Sequence, residues 1–355
     1  MMAGAASLPP SGDTPPDQAT MPRVALAVLL VLLVAGAPFV LYPVFVMKVL
    51  CFALFACAYN LLFGYVGLLA FGHAAFFGAS CYVTAYSAKF WGLTPELALL
   101  TGTAVATLLG AGVGWLAIRR QGLYFAMVTL ALAQIVYFVA LQSPWTGRED
   151  GLQAVPRGML FGLFDLRGTV ALYAFVAGVF LIGFAIIYRA IHSPFGHVLK
   201  AIREDEQRAI SLGYEVDTFK LLAFTLSAAL SGLAGGTKTI VFQLASLTDV
   251  MFTTSGDVVL MVLIGGIGTI LGPVVGAIVL ISMQVYLASF GPWVMVIQGS
   301  VFIVCILGFR KGVVGTIDEM LGRRRAPAAA PGTAPAAEKR WGAVASANDA
   351  KDNMA

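Results

Sequence analysis

The chain has 355 residues, 59% of them hydrophobic and only 11% charged, with a mean hydropathy of +0.88. A soluble domain carries about 25% charged residues, so this composition excludes an ordinary soluble protein and points to an all-α polytopic membrane protein. The net charge of +4 is too small to define a nucleic-acid surface, and no nucleic-acid partner is expected; the basic residues inform only through their positions.

Residues 1–22, MMAGAASLPPSGDTPPDQATMP, are rich in proline and small polar residues and show no basic n-region or cleavage site. They read as a disordered tail rather than a signal peptide, with Met21 an alternative start. A bilayer core of about 30 Å takes about 20 apolar residues per helix. On that rule residues 23–310 form a transmembrane domain with spans near 24–42, 46–63, 66–88, 95–118, 122–142, 169–188, 221–241, 256–271, 273–290 and 292–309, about ten in all. The run VVLMVLIGGIGTILGPVVGAIVLISMQVYL carries a Gly/Pro turn at its centre, which favours two short spans over one. Residues 311–355 read as an Ala/Pro-rich, largely disordered cytoplasmic tail. Its Arg323, Arg324 and Arg325 are a positive-inside anchor at the lipid headgroups.

Lysine and arginine positions orient the spans. With the N-terminus inside, Arg119, Arg120, Arg189, Lys200, Arg203, Arg208, Lys220, Arg310 and Lys311 fall on the cytoplasmic side. Lys48, Lys89, Arg148, Arg157, Arg167 and Lys238 fall outside, and an even number of crossings returns the C-terminus to the cytoplasm. Residues 143–168, SPWTGREDGLQAVPRGMLFGLFDLRG, make the longest outer loop. Its turn residues and acids at Thr146, Glu149, Asp150 and Gly151 are candidates for receiving an outside partner.

Enzyme chemistry has almost nothing to stand on. No lysine follows a glycine, so the P-loop is absent, and H-E-x-x-H, C-x-x-C and G-x-S-x-G are absent too. The three histidines, His73, His192 and His197, have no partner at metal-ligand spacing, and Cys51, Cys57, Cys81 and Cys305 sit in apolar segments without a disulfide pattern. No catalytic, cofactor or metal site is expected in this chain. Span centres are nearly free of ionisable groups; Asp257 opens a span and Lys238 closes one, which weighs against a proton- or sodium-coupled carrier.

The spans are instead rich in glycine, 39 in the chain. NLLFGYVGLLAFGHAAFFG holds Gly64, Gly67, Gly72 and Gly78, and GGIGTILGPVVGA holds Gly265, Gly266, Gly268, Gly272 and Gly276. Small residues let helices approach closely, and glycine allows helices to break where they line a cavity. For any one glycine tight packing is the simpler reading, but two dense clusters point to a pathway. Asn60, Gly64, Gly67, His73, Thr129, Gln134, Gly265 and Gly266 are the candidates to line it.

One stretch breaks the apolar pattern: SPFGHVLKAIREDEQRAISLGYEVDTFK, 193–220. Ser193 and Pro194 make a good helix start and Gly213 a good stop, predicting one helix over 194–213. Val198, Ile202, Ala209 and Leu212 fall on its narrow apolar face, Glu204 and Arg208 form an i,i+4 pair, and Asp205 lies oddly on the apolar side. The charge over 189–220 is balanced, as suits a protein-binding surface rather than a lipid one.

The 193–224 stretch resembles the cytoplasmic loop of the LivM-type permeases of branched-chain amino acid ABC importers. Their pattern runs Ser-Pro-x-Gly-Arg-x-Leu-x-Ala-Ile-Arg-Glu-x-Glu, then Ala, Leu-Gly and Lys-Leu-x-x-Phe. NLLFGYVGLLAFGHAAFFG, GLYFAMVTLALAQIV, TGREDGL and MVLIGGIGTILGPVVGA resemble four further blocks of that family, in order, so the resemblance covers roughly residues 45–310. His197 stands where the family commonly has Arg, Asp205 where it has Asn, and Arg148 where it has Gly. The resemblance implies a type II ABC importer permease in the bacterial inner membrane, both termini cytoplasmic. It implies a second homologous permease, two ATPase subunits that bind ATP and Mg, and a periplasmic substrate-binding protein as partners. It implies that Pro194, Phe195, Gly196, Arg203, Glu204, Arg208 and Gly213 couple the chain to the ATPase, and that the substrate is a branched-chain or related hydrophobic amino acid. Alternatives are an amide or urea substrate in the same family, a secondary amino-acid carrier, or a membrane scaffold.

Overall fold

The computed structural model describes residues 42–308 apart from 121, 161, 163, 289, 290 and 292, together with residues 36 and 312. These lie in one compact unit, Met1–Gly315. The expected N-terminal tail, the expected C-terminal tail but for residue 312, and the first expected span but for residues 36 and 42 fall outside the described residues. The helices are α1 (Pro43–Tyr65), α2 (His73–Phe90), α3 (Pro95–Ala117), α4 (Leu123–Gln142), α5 (Thr169–Ile191), α6 (Pro194–Glu204), α7 (Glu206–Ser211), α8 (Val216–Phe242), α9 (Phe252–Gly265), α10 (Gly272–Tyr286) and α11 (Trp293–Gly308). Among them α1, α3, α4, α5 and α8 are long and apolar enough to cross a membrane.

The expected span at 66–88 does not form as one helix. Gly67 takes φ +83° and its N–H returns to Leu62 O (3.1 Å), which ends α1. Residues 67–72 form a loop and α2 starts at His73. The long glycine-rich run also divides as its turn residues predict. Helices α9 and α10, with 14 and 15 residues, are each only about 21–23 Å long at about 1.5 Å per residue. They close into a hairpin because Gly265 meets the Gly272 backbone and Gly276 meets the Met261 carbonyl, at clearances that leave no room for a Cβ.

Helix α8 is the central post, packed on α1, α2 and α3. A four-residue ladder of small side chains on α3 makes that possible. Gly102 lies on Ser80 and Thr84 of α2, Ala106 on Gly232 of α8, Gly110 on Ala228, and Gly114 on Phe224. Lipid offers apolar side chains no hydrophobic gain over a neighbouring helix, so close backbone approach and dispersion hold such bundles together. Most glycines of the spans therefore do packing work. Cys51, Cys57 and Cys81 are buried and unpaired, as small core residues.

The 143–168 loop departs from pure helix. It makes two short 3₁₀ turns, Pro144–Thr146 and Arg148–Asp150, and three two-residue strands, β1 (Leu152–Gln153), β2 (Met159–Leu160) and β3 (Phe164–Asp165). β2 and β3 form a hairpin. β1 pairs antiparallel with β4 (Leu244–Ala245), just past the end of α8.

Candidate functional site: the charged elbow and the glycine junction

The charged stretch folds as an elbow of two helices, not one. Ser193 caps α6: its hydroxyl accepts from Gly196 N (3.4 Å) and donates to Ala190 O (2.7 Å). Gly196 presses on the carbonyls of Ala190 and Ile191 at the end of α5, where a Cβ would collide. Phe195 stacks on Phe219 of α8 with centroids 5.9 Å apart. The elbow bends at Asp205, whose extended backbone (φ −156°, ψ 100°) ends α6. Its side chain caps α7 by accepting from Arg208 N (3.0 Å). This explains an acid on an apolar face, because Asp205 is an N-cap rather than a mid-helix residue. It also corrects two expectations. Arg208 pairs with Asp205 (3.8 Å) rather than with Glu204. Leu212 is 71% exposed, while Leu199 joins Ile202 and Ala209 in the buried face. Gly213 takes φ +86° and stops α7 as its position suggests.

The elbow is tied down by Lys220 of α8, whose side chain is 4% exposed and whose ammonium lies 2.6 Å from Glu206. Beside it runs a groove of about 350 Å³ lined by Glu206, Ile210, Glu215, Val216, Asp217 and Thr218. Ile210, in that lining, and Leu212 and Tyr214, which follow it in the chain, stay exposed.

Arg203 and Glu204 point to different tasks. Glu204 is exposed and, among the described residues, makes no ion pair or hydrogen bond. Arg203 instead turns toward the bundle. Its Nη1 donates to the Gly64 carbonyl in the last turn of α1, and its methylene stem lies over Gly67, where a Cβ would sit 3.2 Å from Cγ. The same guanidinium lies against Gly268 in the α9–α10 turn. Asn60, one turn before Gly64, holds that turn from the other side. Its Nδ2 donates to Thr269 O (2.9 Å) and its Oδ1 accepts from Gly268 N (3.0 Å). Gly64 must be glycine, because a Cβ there would strike Asn60 Oδ1 and come 2.7 Å from Gly268 N. The elbow, the end of α1 and the α9–α10 turn thus meet at one hydrogen-bonded junction.

The structure therefore brings Asn60, Gly64 and Gly67 together with Arg203 and with the turn that Gly265 and Gly266 begin. His73, Thr129 and Gln134 do not join it. His73 is fully buried between the rings of Tyr59, Phe76 and Phe224. The Ser227 hydroxyl donates to Ala58 O (2.6 Å), which leaves it to accept from His73 Nε2 (2.9 Å). His73 is a strut joining α1, α2 and α8. Thr129 Oγ1 donates to Ala126 O (2.9 Å) and accepts from Phe71 N (3.3 Å), fixing the 67–72 loop on α4. Gln134 is half-buried on α4.

At the opposite end, Glu149 and Asp150 are exposed. Thr146 is not: it is buried, and its one hydroxyl proton is shared between Ala140 O (2.6 Å) and Ser143 O (2.7 Å), closing the end of α4. Gly151 lies backbone to backbone against Ala245. Arg157 Nη2 donates to Val241 O (2.8 Å), so the loop is stapled to α8. Arg148 holds φ +55°, a left-handed conformation that glycine adopts without the steric cost of a Cβ. Two ion pairs escaped sequence reasoning, Lys220–Glu206 and Lys238–Asp249 (2.6 Å). Their partners are 14 and 11 residues apart, a spacing with no local signal. Among the described residues no cluster of His, Cys, Asp or Glu fits a metal.

Residues 44–306 match the family described as the permease component of the branched-chain amino acid transport system. The chain is 28% identical over 283 residues to the high-affinity branched-chain amino acid transport system permease protein LivM of Salmonella typhimurium, covering 72% of this chain and 65% of that one. It is 27% identical over 278 residues to LivM of Escherichia coli, with coverages of 72% and 65%. It is 26% identical over 242 residues to a probable branched-chain amino acid transport permease protein LivH of Methanocaldococcus jannaschii, covering 64% of this chain and 75% of that one. The chain thus spans 65% of the length of the LivM relatives. No solved structure matches it. With the match running through every helix from α1 to α11 and five helices long enough to cross a bilayer, the chain is a multi-pass membrane protein that belongs to the branched-chain amino acid transport system permease family.

Proposed function

We propose that this chain is one transmembrane permease subunit of an ATP-driven importer for branched-chain or related hydrophobic amino acids. Its partners are a second homologous permease, two ATPase subunits that bind ATP and Mg, and a periplasmic substrate-binding protein. The chain crosses the inner membrane about ten times, as its apolar runs allow, in a type II importer arrangement with both termini cytoplasmic. It carries no catalytic site of its own. The observation that carries the reading is the junction: a polar, solvent-facing elbow whose Arg203 reaches the end of α1 and the α9–α10 turn. Closure of an ATPase pair against Glu204, Ile210, Leu212 and Tyr214 moves α6, and the Arg203 link passes that motion to α1 and the glycine hairpin. Such a contiguous hydrogen-bonded connection between two packed elements is a physical route for coupling.

The reading is tested by uptake of labelled leucine into proteoliposomes holding the assembled complex. ATP-dependent accumulation that requires loaded binding protein is expected. Accumulation driven by a proton or sodium gradient without ATP contradicts it and restores the secondary carrier.

A further inference from the structure

Helices α3 and α8 touch closely at Gly114, where a Cβ would lie 2.8 Å from Phe224 Cδ1 and 3.0 Å from Leu221 Cδ1. One turn further along α3 a groove of about 240 Å³ opens between them. Trp115, Ile118 and Arg119 line it from the end of α3, and Asp217, Thr218 and Leu221 from the start of α8. Ile118 is buried and Leu221 half-buried, while Trp115, Arg119, Asp217 and Thr218 are exposed. The groove is therefore apolar inside and polar at its mouth.

The charges in this groove are not spent on each other. The Arg119 guanidinium lies over the Trp115 ring, with Cζ 4.8 Å from the centroid. Among the described residues neither Arg119 nor Asp217 makes an ion pair, although both line the same space. Thr218 Oγ1 donates to Glu215 Oε2 (3.2 Å), which commits its proton and leaves its lone pairs to accept. A tryptophan and a snorkelling arginine are common where a helix leaves the bilayer. That rule covers Trp115 and Arg119; it does not cover a carboxylate and an accepting hydroxyl on the facing helix. The groove also continues onto an apolar surface. Leu108, two turns before Trp115 on the same side of α3, and Leu222 of α8 are exposed, and only 33% of the apolar stretch of α3 is buried within the chain. In a bilayer such a surface meets acyl chains.

We propose that the α3–α8 groove binds a phospholipid with a primary ammonium headgroup, a phosphatidylethanolamine. Its phosphate meets Arg119, its ammonium donates to Asp217 and to Thr218 Oγ1, and its acyl chains run along α3 over Leu108. A zwitterion satisfies both charges at once. An anionic glycerol headgroup leaves Asp217 without a cation. A choline headgroup brings a cation but no N–H to donate, and Arg119 already covers one face of the Trp115 ring that would receive it. Asp217 and Thr218 also line the groove beside the elbow, so the bound lipid adjoins the segment from which the elbow hangs. This site does not depend on the importer reading.

The test is photolabelling of the detergent-solubilised full chain with a trace of phosphatidylethanolamine that carries a diazirine on its acyl chain. Labelled peptides are identified by mass spectrometry, and unlabelled lipids compete in mixed micelles. Label is expected on α3 between Leu108 and Trp115 and at Leu222. Phosphatidylethanolamine should displace it, and phosphatidylcholine and phosphatidylglycerol should each compete about fivefold less well, the scale of one exposed charge-paired contact. Soluble phosphoethanolamine, which has no acyl chains, should not compete. Asp217→Asn is expected to bring phosphatidylethanolamine down to the level of phosphatidylcholine and leave phosphatidylcholine unchanged. Arg119→Gln is expected to weaken all three lipids, and Arg119→Lys to restore them. Arg120→Gln, next in the chain but outside the groove lining, should change nothing. Equal competition by the three lipids in the wild-type chain overturns the site whether or not a variant folds. A preference for phosphatidylethanolamine that survives in Asp217→Asn overturns it as well. Displacement by soluble phosphoethanolamine overturns the assignment to a membrane lipid. Label that appears on the isolated chain but not on the chain purified with its partner subunits overturns the site too, because the groove is then a subunit interface.

Discussion

Gly64→Ala is the sharpest perturbation of the junction. The new Cβ would meet Asn60 Oδ1 and lie 2.7 Å from Gly268 N, a backbone atom that cannot rotate away. Overpacking of this kind costs about 1–3 kcal/mol. The methyl also displaces the Asn60 carboxamide, which makes two hydrogen bonds to the α9–α10 turn; at about 0.5–1.5 kcal/mol each these add about 1–3 kcal/mol. The expected loss is therefore about 2–6 kcal/mol. The matched control is Gly178→Ala in α5, where a Cβ meets nothing within 4 Å and better helix propensity makes the change neutral or stabilising by up to about 1 kcal/mol. Reversible SDS unfolding of the purified chain compares the two. Adding Asn60→Ala to Gly64→Ala removes one of the two clashing groups, so the double variant should be less destabilised than the sum of the single ones by more than about 0.5 kcal/mol. Equal stability of the Gly64 and Gly178 variants, or strict additivity with Asn60, refutes the packing described for the junction.

Other substitutions probe separate parts. Lys220→Met removes the buried partner of Glu206 and should cost about 1.5–3 kcal/mol, read as faster hydrogen exchange confined to the elbow, 194–213; unchanged exchange would mean the pair does not hold it. Arg148→Gly releases a left-handed backbone (φ +55°) and should raise stability by about 1 kcal/mol, whereas a lower melting temperature would show that the arginine side chain is held by a favourable contact. Glu149→Lys with Asp150→Lys reverses two exposed acids on a loop stapled to α8 and should weaken ATPase stimulation by loaded binding protein; undiminished stimulation assigns the loop to a connector.

The amphipathic and apolar periods placed most helices because hydrophobic length and Gly/Pro punctuation are local signals. Pro43, Pro95, Pro194 and Pro273 each stand in the first turn of a helix, where proline's fixed φ suits it. The break at 66–72 was less legible, since Val66–Ala70 is as apolar as the span before it and only Gly67 marks the stop. The elbow was misread as one helix because Asp205 has two local uses, a mid-helix acid and an N-cap, and tertiary contacts choose between them. Arg203 and Glu204 looked equivalent in sequence. Their separation comes from Gly64, 139 residues away, and no local pattern carries that information. The same holds for Asn60 with Gly268 and for His73 with Ser227, polar pairs fixed only when three helices meet.

The measurement that bears most directly on the coupling reading is leucine imported per ATP hydrolysed by the assembled complex in proteoliposomes. Arg203→Gln removes the inward link to Gly64 and leaves the outer face of the elbow intact. It should keep assembly and ATPase activity while import per ATP falls by about tenfold or more, as expected for a lost charge-assisted hydrogen bond of about 1.5–3 kcal/mol. Glu204→Lys, on the exposed face, should instead weaken retention of the ATPase subunits. Import per ATP equal to wild type in the Arg203→Gln complex would contradict the account, because the elbow would then attach the ATPase without driving α1 and the glycine hairpin.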